Sequence, residues 1–466
     1  MNGMRSVFFL SGVFAIGLTQ VSAEPINIGS RLELFVDQHV VGRLTGDVQL
    51  YVHRPKPEEV VLVTGEPWEG NTSAYYSIFQ DGDRFRMYYR GSDYDQQKKE
   101  ETHREVTCYA ESRDGIHWTR PKLGLFEFNG SKENNIVLDG MGTHCFVAFK
   151  DKNPNAPKEA RYKGISYGRQ GEERGLWVYQ SADGLRWSLI RDYPVITEGA
   201  FDSQNLAFFD PQIGLYREYH RIFAQGVRAI MTGTSSDFIN WTDPVLLEYP
   251  GILSEHLYTN AVLPYERAPH ILLGFPTRYL PEEGSRVEPV LMASREGKVF
   301  HRWPKALIPE DAPEDRDGNR SNYMTWGILE LPSKPGELSV YASEAYYEGP
   351  DSRLRRFSYR TDGFVSARGG SKGGTLITKA VAFSGKQLEL NFASRAGGSI
   401  RVALQTERGR EIEGYTLEDC QPLTGDSLKQ AVVWKGKQGV EASPRSGVKI
   451  QFEIKNADLY AFRFRQ

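Results

Sequence analysis

Ser112-Arg113-Asp114-Gly115-Ile116-His117-Trp118 decides how the rest of the chain is read, because its pattern, Ser-x-Asp-Gly-x-x-Trp, returns. It recurs as Ser181, Asp183, Gly184 and Trp187, more loosely as Ser236, Asp237, Phe238 and Trp241, and again as Ser294, Glu296, Gly297 and Phe300 with Trp303 close behind. The aromatic positions 118, 187, 241 and 300 lie 69, 54 and 59 residues apart, about the length of one four-stranded propeller blade with its loops. In the first two copies the Asp-Gly pair supplies the positive φ of a tight hairpin, and the aromatic of the phrase packs the returning strand between sheets. These aspartates therefore read as scaffold, not chemistry.

Working outward, a strand pair precedes each phrase: Ala74 to Phe79 with Arg84 to Arg90, Phe146 to Lys150 with Tyr162 to Tyr167, Leu206 to Phe209 with Tyr216 to Arg221, and Ala261 to Tyr265 with Ile271 to Thr277. Gly82, Pro154, Gly214 and Pro269 mark the turns between partners. A fifth group, Tyr323 to Leu331, Glu337 to Ser343 and Leu354 to Tyr359, has no complete copy of the phrase. No helical periodicity is sustained. Beyond Asp362-Gly363-Phe364 the Gly-rich run Gly369 to Gly374 reads as a linker, and short alternating strands follow, ending in Asp458-Leu459-Tyr460-Ala461-Phe462-Arg463-Phe464. The expectation is all-β: a five-bladed β-propeller over 24–366, then a C-terminal β-sandwich over 375–466. The strand Arg31 to Val41 is expected to complete the last blade.

Residues 1–23 read as a secretory signal peptide, with Arg5 before the apolar stretch Val7 to Leu18 and Val21-Ser22-Ala23 as cleavage site. The expected location is therefore periplasmic or extracellular, with no stable membrane insertion after cleavage. A net charge of −3 gives no electrostatic footprint for nucleic acid. Cys108, Cys145 and Cys420 are too few for a disulfide scaffold or a zinc motif. No spacing argues for a metal or another cofactor, and oligomeric state is not legible.

In a propeller the segments just ahead of the innermost strands converge on one mouth. These are Trp68-Glu69-Gly70-Asn71, Gly142-Thr143-His144, Asp202-Ser203-Gln204-Asn205, Glu255-His256-Leu257-Tyr258 and Arg320-Ser321-Asn322. Glu69, Asp202 and Glu255 stand at equivalent places and are the candidate catalytic carboxylates, since glycoside cleavage needs one carboxyl group to protonate the leaving oxygen and another to activate water or attack carbon. Glu344 is a reserve, with Arg355 or Arg356 as its alternative ion-pair partner. Candidate substrate-binding residues are Trp68, Asn71, Arg90, His144, Gln204, Asn205, His256, Tyr258, Arg278 and Trp326: arginines for carboxylate, sulfate or paired hydroxyls, and aromatics for sugar faces. The bland alternatives are turn caps, ion pairs between blades and core packing.

Phe201-Asp202-Ser203-Gln204-Asn205, Leu257-Tyr258-Thr259-Asn260 and Ala457-Asp458-Leu459-Tyr460 resemble phrases of bacterial secreted proteins grouped with family 32 glycoside hydrolases, and the propeller resembles that of family 43. The resemblance covers almost the whole mature chain in architecture. The invertase motif Asn-Asp-Pro-Asn-Gly, the Arg-Asp-Pro motif and a Glu-Cys dipeptide are absent, Phe209-Asp210-Pro211 being the nearest likeness. The resemblance thus implies a fold and a general reaction class: a secreted glycoside hydrolase on an external polysaccharide or oligosaccharide. Two other readings stand beside it: a non-catalytic lectin-like propeller, which uses the same rim, and a sialidase-like enzyme, suggested by the repeated Asp-Gly-Trp phrase.

Overall fold

A computed structural model describes residues 24–309, 322–437, 439–440 and 447–466. The expected signal peptide, and Arg320 and Ser321 of the fifth candidate segment, lie outside the described residues. The described chain is all-β, with two 3-10 turns as its only helical elements. No described helix is long and apolar enough to cross a membrane.

Three four-stranded antiparallel groups follow one another in meander order. The first joins Ala74–Asp81, Arg84–Gly91, Val106–Ser112 and Trp118–Thr119, with Ile136–Asp139 added beside the third strand. The second joins Val147–Lys150, Tyr162–Gln170, Glu173–Ser181 and Ser188–Leu189, and the third Leu206–Asp210, Leu215–Ala224, Val227–Ser235 and Val245–Leu246. A fourth joins Leu263–Tyr265, Ala268–Gly274, Met292–Ser294 and His301–Arg302, and its middle hairpin runs on as Thr277–Leu280 and Arg286–Pro289 beside His256–Leu257. The fifth joins Glu337–Glu344, Arg353–Arg360 and Lys56–Val63, with Met324 and Leu329 bridged to Ala342 and Ser339.

The recurring phrase explains how these sheets meet. Asp114 Oδ1 accepts the backbone N–H groups of Ile116 and His117 at 2.9 and 2.8 Å. Asp183 does the same for Leu185 and Arg186, and Asp237 for Ile239 and Asn240. In the third copy the serine is Ser235, one residue earlier than the sequence reading has it, since its Oγ bonds Asp237 and the Phe238 N–H. Each turn then docks on the preceding sheet. Tyr88 of the first sheet donates to Gly184 O of the second (2.8 Å), and Phe149 of the second packs on Phe238 of the third. Tyr219 of the third donates to Gly297 O of the fourth (3.0 Å), and Tyr265 of the fourth to Asp362 of the fifth (2.5 Å). Tyr341 of the fifth donates to Gly115 O of the first (2.6 Å), so the contacts close a ring.

Gly184 has φ +78, and a Cβ there would sit 2.7 Å from Arg86 Nη1 and 2.8 Å from Tyr88 Oη. Gly184→Ala is expected to cost about 1–3 kcal/mol, the usual range for a non-glycine residue held at such a φ. A lowered urea midpoint at unchanged slope would show it; an unchanged midpoint would mean that the junction tolerates the methyl group.

Two expectations give way here. Lys56–Val63, not Arg31 to Val41, completes the fifth sheet, because Glu33–Leu34 pairs with Val448–Arg465 instead. The glycine run is no linker: Val365–Thr378 is one strand, with a register shift between Gly369 and Gly374. A Cβ on Gly369 would lie 2.3 Å from Ile454 O, and one on Gly374 2.2 Å from Thr45 O, so close strand approach accounts for these glycines. This strand belongs to an eight-stranded sheet with Ile26–Gly29, Val41–Val52, Gln387–Thr406 and Val448–Arg465. Its core buries Phe35, Leu388, Phe392, Val402, Trp434 and Phe462. Cys108, Cys145 and Cys420 are buried and free.

Candidate functional site at the centre of the ring

In a meander of antiparallel strands, the segment entering the first strand and the connection between the second and third lie at the same end. Residues from both sets of segments come together across the five sheets. From the first sheet come Tyr75, Arg90 at the end of the second strand and Glu105 before the third; from the second, His144. The third gives Asp202, Arg221 and Arg228, the fourth Tyr258, and the fifth Tyr323 and Tyr346.

These side chains form a closed circuit of contacts. Arg90 is 3.5 Å from Glu105, whose two carboxylate oxygens each lie 3.0 Å from His144 Nδ1. His144 Nε2 is 3.0 Å from Asp202 Oδ1, and Asp202 Oδ2 is 3.9 Å from Arg221 Nη2. The Arg221 guanidinium lies 4.7 Å from the centroid of the Tyr258 ring. Tyr258 meets Tyr323 edge-on, and Tyr323 meets Tyr346 likewise, both at 5.6 Å. The circuit closes where Arg90 Nη2 donates to Tyr346 Oη (2.8 Å). Tyr75, at φ +58, lies beneath Arg90 at 4.9 Å and beside His144 at 6.0 Å.

Asp202 is the open group of the circuit, its side chain 63% exposed, whereas Arg90 is buried. Hydrogen bonding from His144 holds the Asp202 carboxyl below its ordinary range. Burial would push Glu105 up, but hydrogen bonding from His144 and the Arg90 charge prevail and lower it. Burial likewise pulls His144 down, and the hydrogen bonds to Asp202 and Glu105 overcome it, holding the imidazolium up to about 10. Both ring nitrogens therefore donate.

A histidine whose folded value exceeds its unfolded one of 6.5 contributes stability in full below 6.5, and loses it as pH rises through about 10. The difference in unfolding free energy between the native chain and His144→Gln is accordingly expected to shrink steadily between those two pH values. A difference that stays level across that window would show that the imidazole is not held charged.

The predicted set divides. Asp202, His144, Arg90 and Tyr258 come together in the circuit. Glu69 does not join them: its carboxylate is wholly buried in the first sheet, where Arg120 grips it with two hydrogen bonds of 2.8 and 2.9 Å and Tyr89 donates a third. Glu255 stands off the circuit, paired with Arg302 and with Arg278 at 3.5 Å. It lines a cleft of about 350 Å³ between the third and fourth sheets, with Gln225, Arg228 and Glu248. The reserve Glu344 is buried against Arg355 (2.8 Å).

Several predicted binding residues are taken up by internal hydrogen bonds and ion pairs instead. Gln204 donates to Tyr76 O, Asn205 to Phe201 O and Trp326 to Val262 O, all buried. Trp68 donates to Asn135, and Asn71 to Tyr94 O and Gly349 O. Arg278 pairs with Glu288, and His256 Nδ1 accepts the backbone N–H of Arg228. Among the described residues, no group of three or more His, Cys, Asp or Glu is arranged to hold a metal ion.

Sequence reasoning missed Tyr75, Glu105, Arg221, Arg228, Tyr323 and Tyr346. Arg221 near the end of its second strand is the counterpart of Arg90, so the rule that singled out Arg90 and Arg278 would have found it. Glu105 and Arg228 follow from counting the connections between second and third strands as part of the mouth. Tyr75 carried no signal, because a non-glycine residue at positive φ is a product of packing.

No protein-family model and no curated protein sequence matches the chain. Among solved structures, it is similar to a β-1,2-mannobiose phosphorylase from Listeria innocua (TM-score 0.47, 13% identity, covering 67% of this chain and 97% of that one). It is also similar to a thermostable family-43 glycoside hydrolase (0.45, 14%, 66% and 96%) and to an endo-arabinase from Bacteroides thetaiotaomicron (0.42, 13%, 66% and 99%).

Proposed function

We propose that the chain is an exported glycoside hydrolase: a five-bladed β-propeller with a β-sandwich packed beside it, acting on an external polysaccharide or oligosaccharide at the propeller mouth. The observation that carries this reading is the line Glu105–His144–Asp202, drawn from three successive sheets onto an open surface rimmed by Tyr258, Tyr323 and Tyr346. Sugar hydroxyls suit a rim of guanidinium and carboxylate groups, and sugar faces suit its aromatic rings.

In this reading Asp202, ionised and exposed, activates water or faces the positive charge that develops at the anomeric carbon. His144 carries the proton beside it. Glu105 keeps the imidazolium charged and oriented from its far side, as a positioning residue. Glu69 and Glu255, each already paired with arginine, have structural roles.

One observation favours a second reading, a lectin-like binding module: both carboxylates that meet His144 are held below their ordinary range, so neither brings a proton at neutral pH. Incubating purified residues 24–466 with a panel of polysaccharides and aryl glycosides separates the two. Release of reducing sugar is the expected result; saturable binding with no release across the panel would replace the hydrolase by the binding module.

A further inference from the structure

Arg221 and Arg228 stand close together on one face of the third sheet. Phe223 and Arg228 are directly opposite in the hairpin register, and Arg221 lies two residues along the same strand as Phe223, so the two arginines are diagonal neighbours. Both guanidinium groups lie over the same two rings: Arg221 is 4.7 Å from the Tyr258 centroid and 5.6 Å from that of Phe223, and Arg228 is 5.3 and 5.4 Å away. Tyr279 covers Arg228 from a further side at 4.5 Å.

Like charges so placed on a sheet repel, and the protein supplies little to offset them. Arg228 pairs with no carboxylate among the described residues; apart from the three rings, its guanidinium meets His256 Nδ1, at 3.5 Å. Arg221 has the carbonyl of Ala200 on Nε (2.8 Å) and the longer contact to Asp202. Arg221 Nη1 and Arg228 Nε are both buried without a hydrogen-bond partner. A buried charged donor left unmade is costly, and burial here leaves Arg221 only 5% exposed. Beside these donors Phe223 is 58% exposed, an apolar ring face at the edge of the mouth.

We infer that Arg221 and Arg228 form a subsite for an acidic sugar, a carboxylate or sulfate group lying between the two guanidinium groups while Phe223 receives the sugar ring. Planar forked donors match either anion in bidentate fashion, and one anion would both satisfy the spare N–H groups and remove the repulsion. This rests on the reading of the mouth as a sugar site and names the class of sugar.

Binding is measured by calorimetry on residues 24–466, without reference to turnover, using tetragalacturonate against its methyl ester and a sulfated carrageenan tetrasaccharide against its desulfated form. At least one charged ligand is expected to bind about tenfold or more tighter than its uncharged partner, the weight of a single charge-assisted hydrogen bond. The advantage is expected to fall as sodium chloride rises, to vanish in Arg228→Gln and to survive in part in Arg228→Lys. Preference for the uronate assigns the carboxylate, and preference for the carrageenan the sulfate. Equal affinity for charged and uncharged ligands overturns the subsite, as does failure of both charged ligands to bind. So does a preference that survives Arg228→Gln and Arg221→Gln in variants whose thermal unfolding shows them folded. Charge-selective binding without hydrolysis would remove the hydrolase and leave the subsite; hydrolysis of neutral glycans without charge preference would do the reverse.

Discussion

Asp202→Asn is expected to lower kcat by about 10²- to 10⁴-fold, the contribution of a general base or an electrostatic partner at the reacting carbon, while thermal unfolding at neutral pH shifts only by the part of the His144 stabilisation that Asp202 supplies. The reason lies in the contrast between exposure and position. A side chain 63% exposed contributes little to packing, yet this one sits where three sheets deliver Glu105, His144 and Arg221 to a single point. The substitution keeps the shape and one acceptor for His144 Nε2 but removes the charge. The imidazolium then loses one of the two carboxylates that hold it up, so the alkaline limb of the rate profile should move to lower pH in whatever activity remains. A fall in kcat smaller than tenfold would remove Asp202 from the chemistry.

Glu69→Gln is expected to do the opposite: to cost about 3 kcal/mol of stability, as breaking a buried ion pair does, with kcat per folded molecule unchanged. Arg120 retains some exposure, and this keeps the loss at the lower end of the range for such pairs. The amide still accepts one of the Arg120 hydrogen bonds, but the charge that the guanidinium and the Tyr89 hydroxyl both meet is gone. Unfolding in urea, followed by tryptophan fluorescence, reads the first effect, and turnover normalised to active protein reads the second. A kcat that fell with no change in midpoint would return Glu69 to the catalytic set.

These two carboxylates show where sequence reading succeeds and where it stops. Both precede the first strand of a sheet, and position along the chain does not separate them. What separates them is Arg120, which lies 51 residues after Glu69 and is brought to it only by the fold. The repeated turns were legible because their interactions span two or three residues: Asp114 bonds the N–H groups of Ile116 and His117 whatever the rest of the chain does. The closing strand was not, since Lys56–Val63 finds its partner by long-range pairing, and Arg31 to Val41 has an equally good strand pattern. The glycines at 369 and 374 misled for a related reason. A glycine that flexes and a glycine that lets two backbones touch look the same in one dimension.

The closing strand also sets a timetable. Val63 pairs with Arg353, so about 290 residues of chain must be made before the first edge of the ring meets its last, on the order of 15 to 60 s at ordinary rates of synthesis. For that interval Lys56–Val63 is an unpaired edge, the kind of segment that adheres to other chains. Its first half is Lys56, Pro57, Glu58 and Glu59, and charge and proline are the devices that keep a waiting edge from pairing wrongly. When Arg353–Arg360 arrives, the same acids become the fastening: Ser358 donates to Glu58, and Arg356 grips Glu59 with two hydrogen bonds. Glu58 and Glu59, which give the waiting edge its negative charge, are thus the residues that fasten the sheet once it is complete.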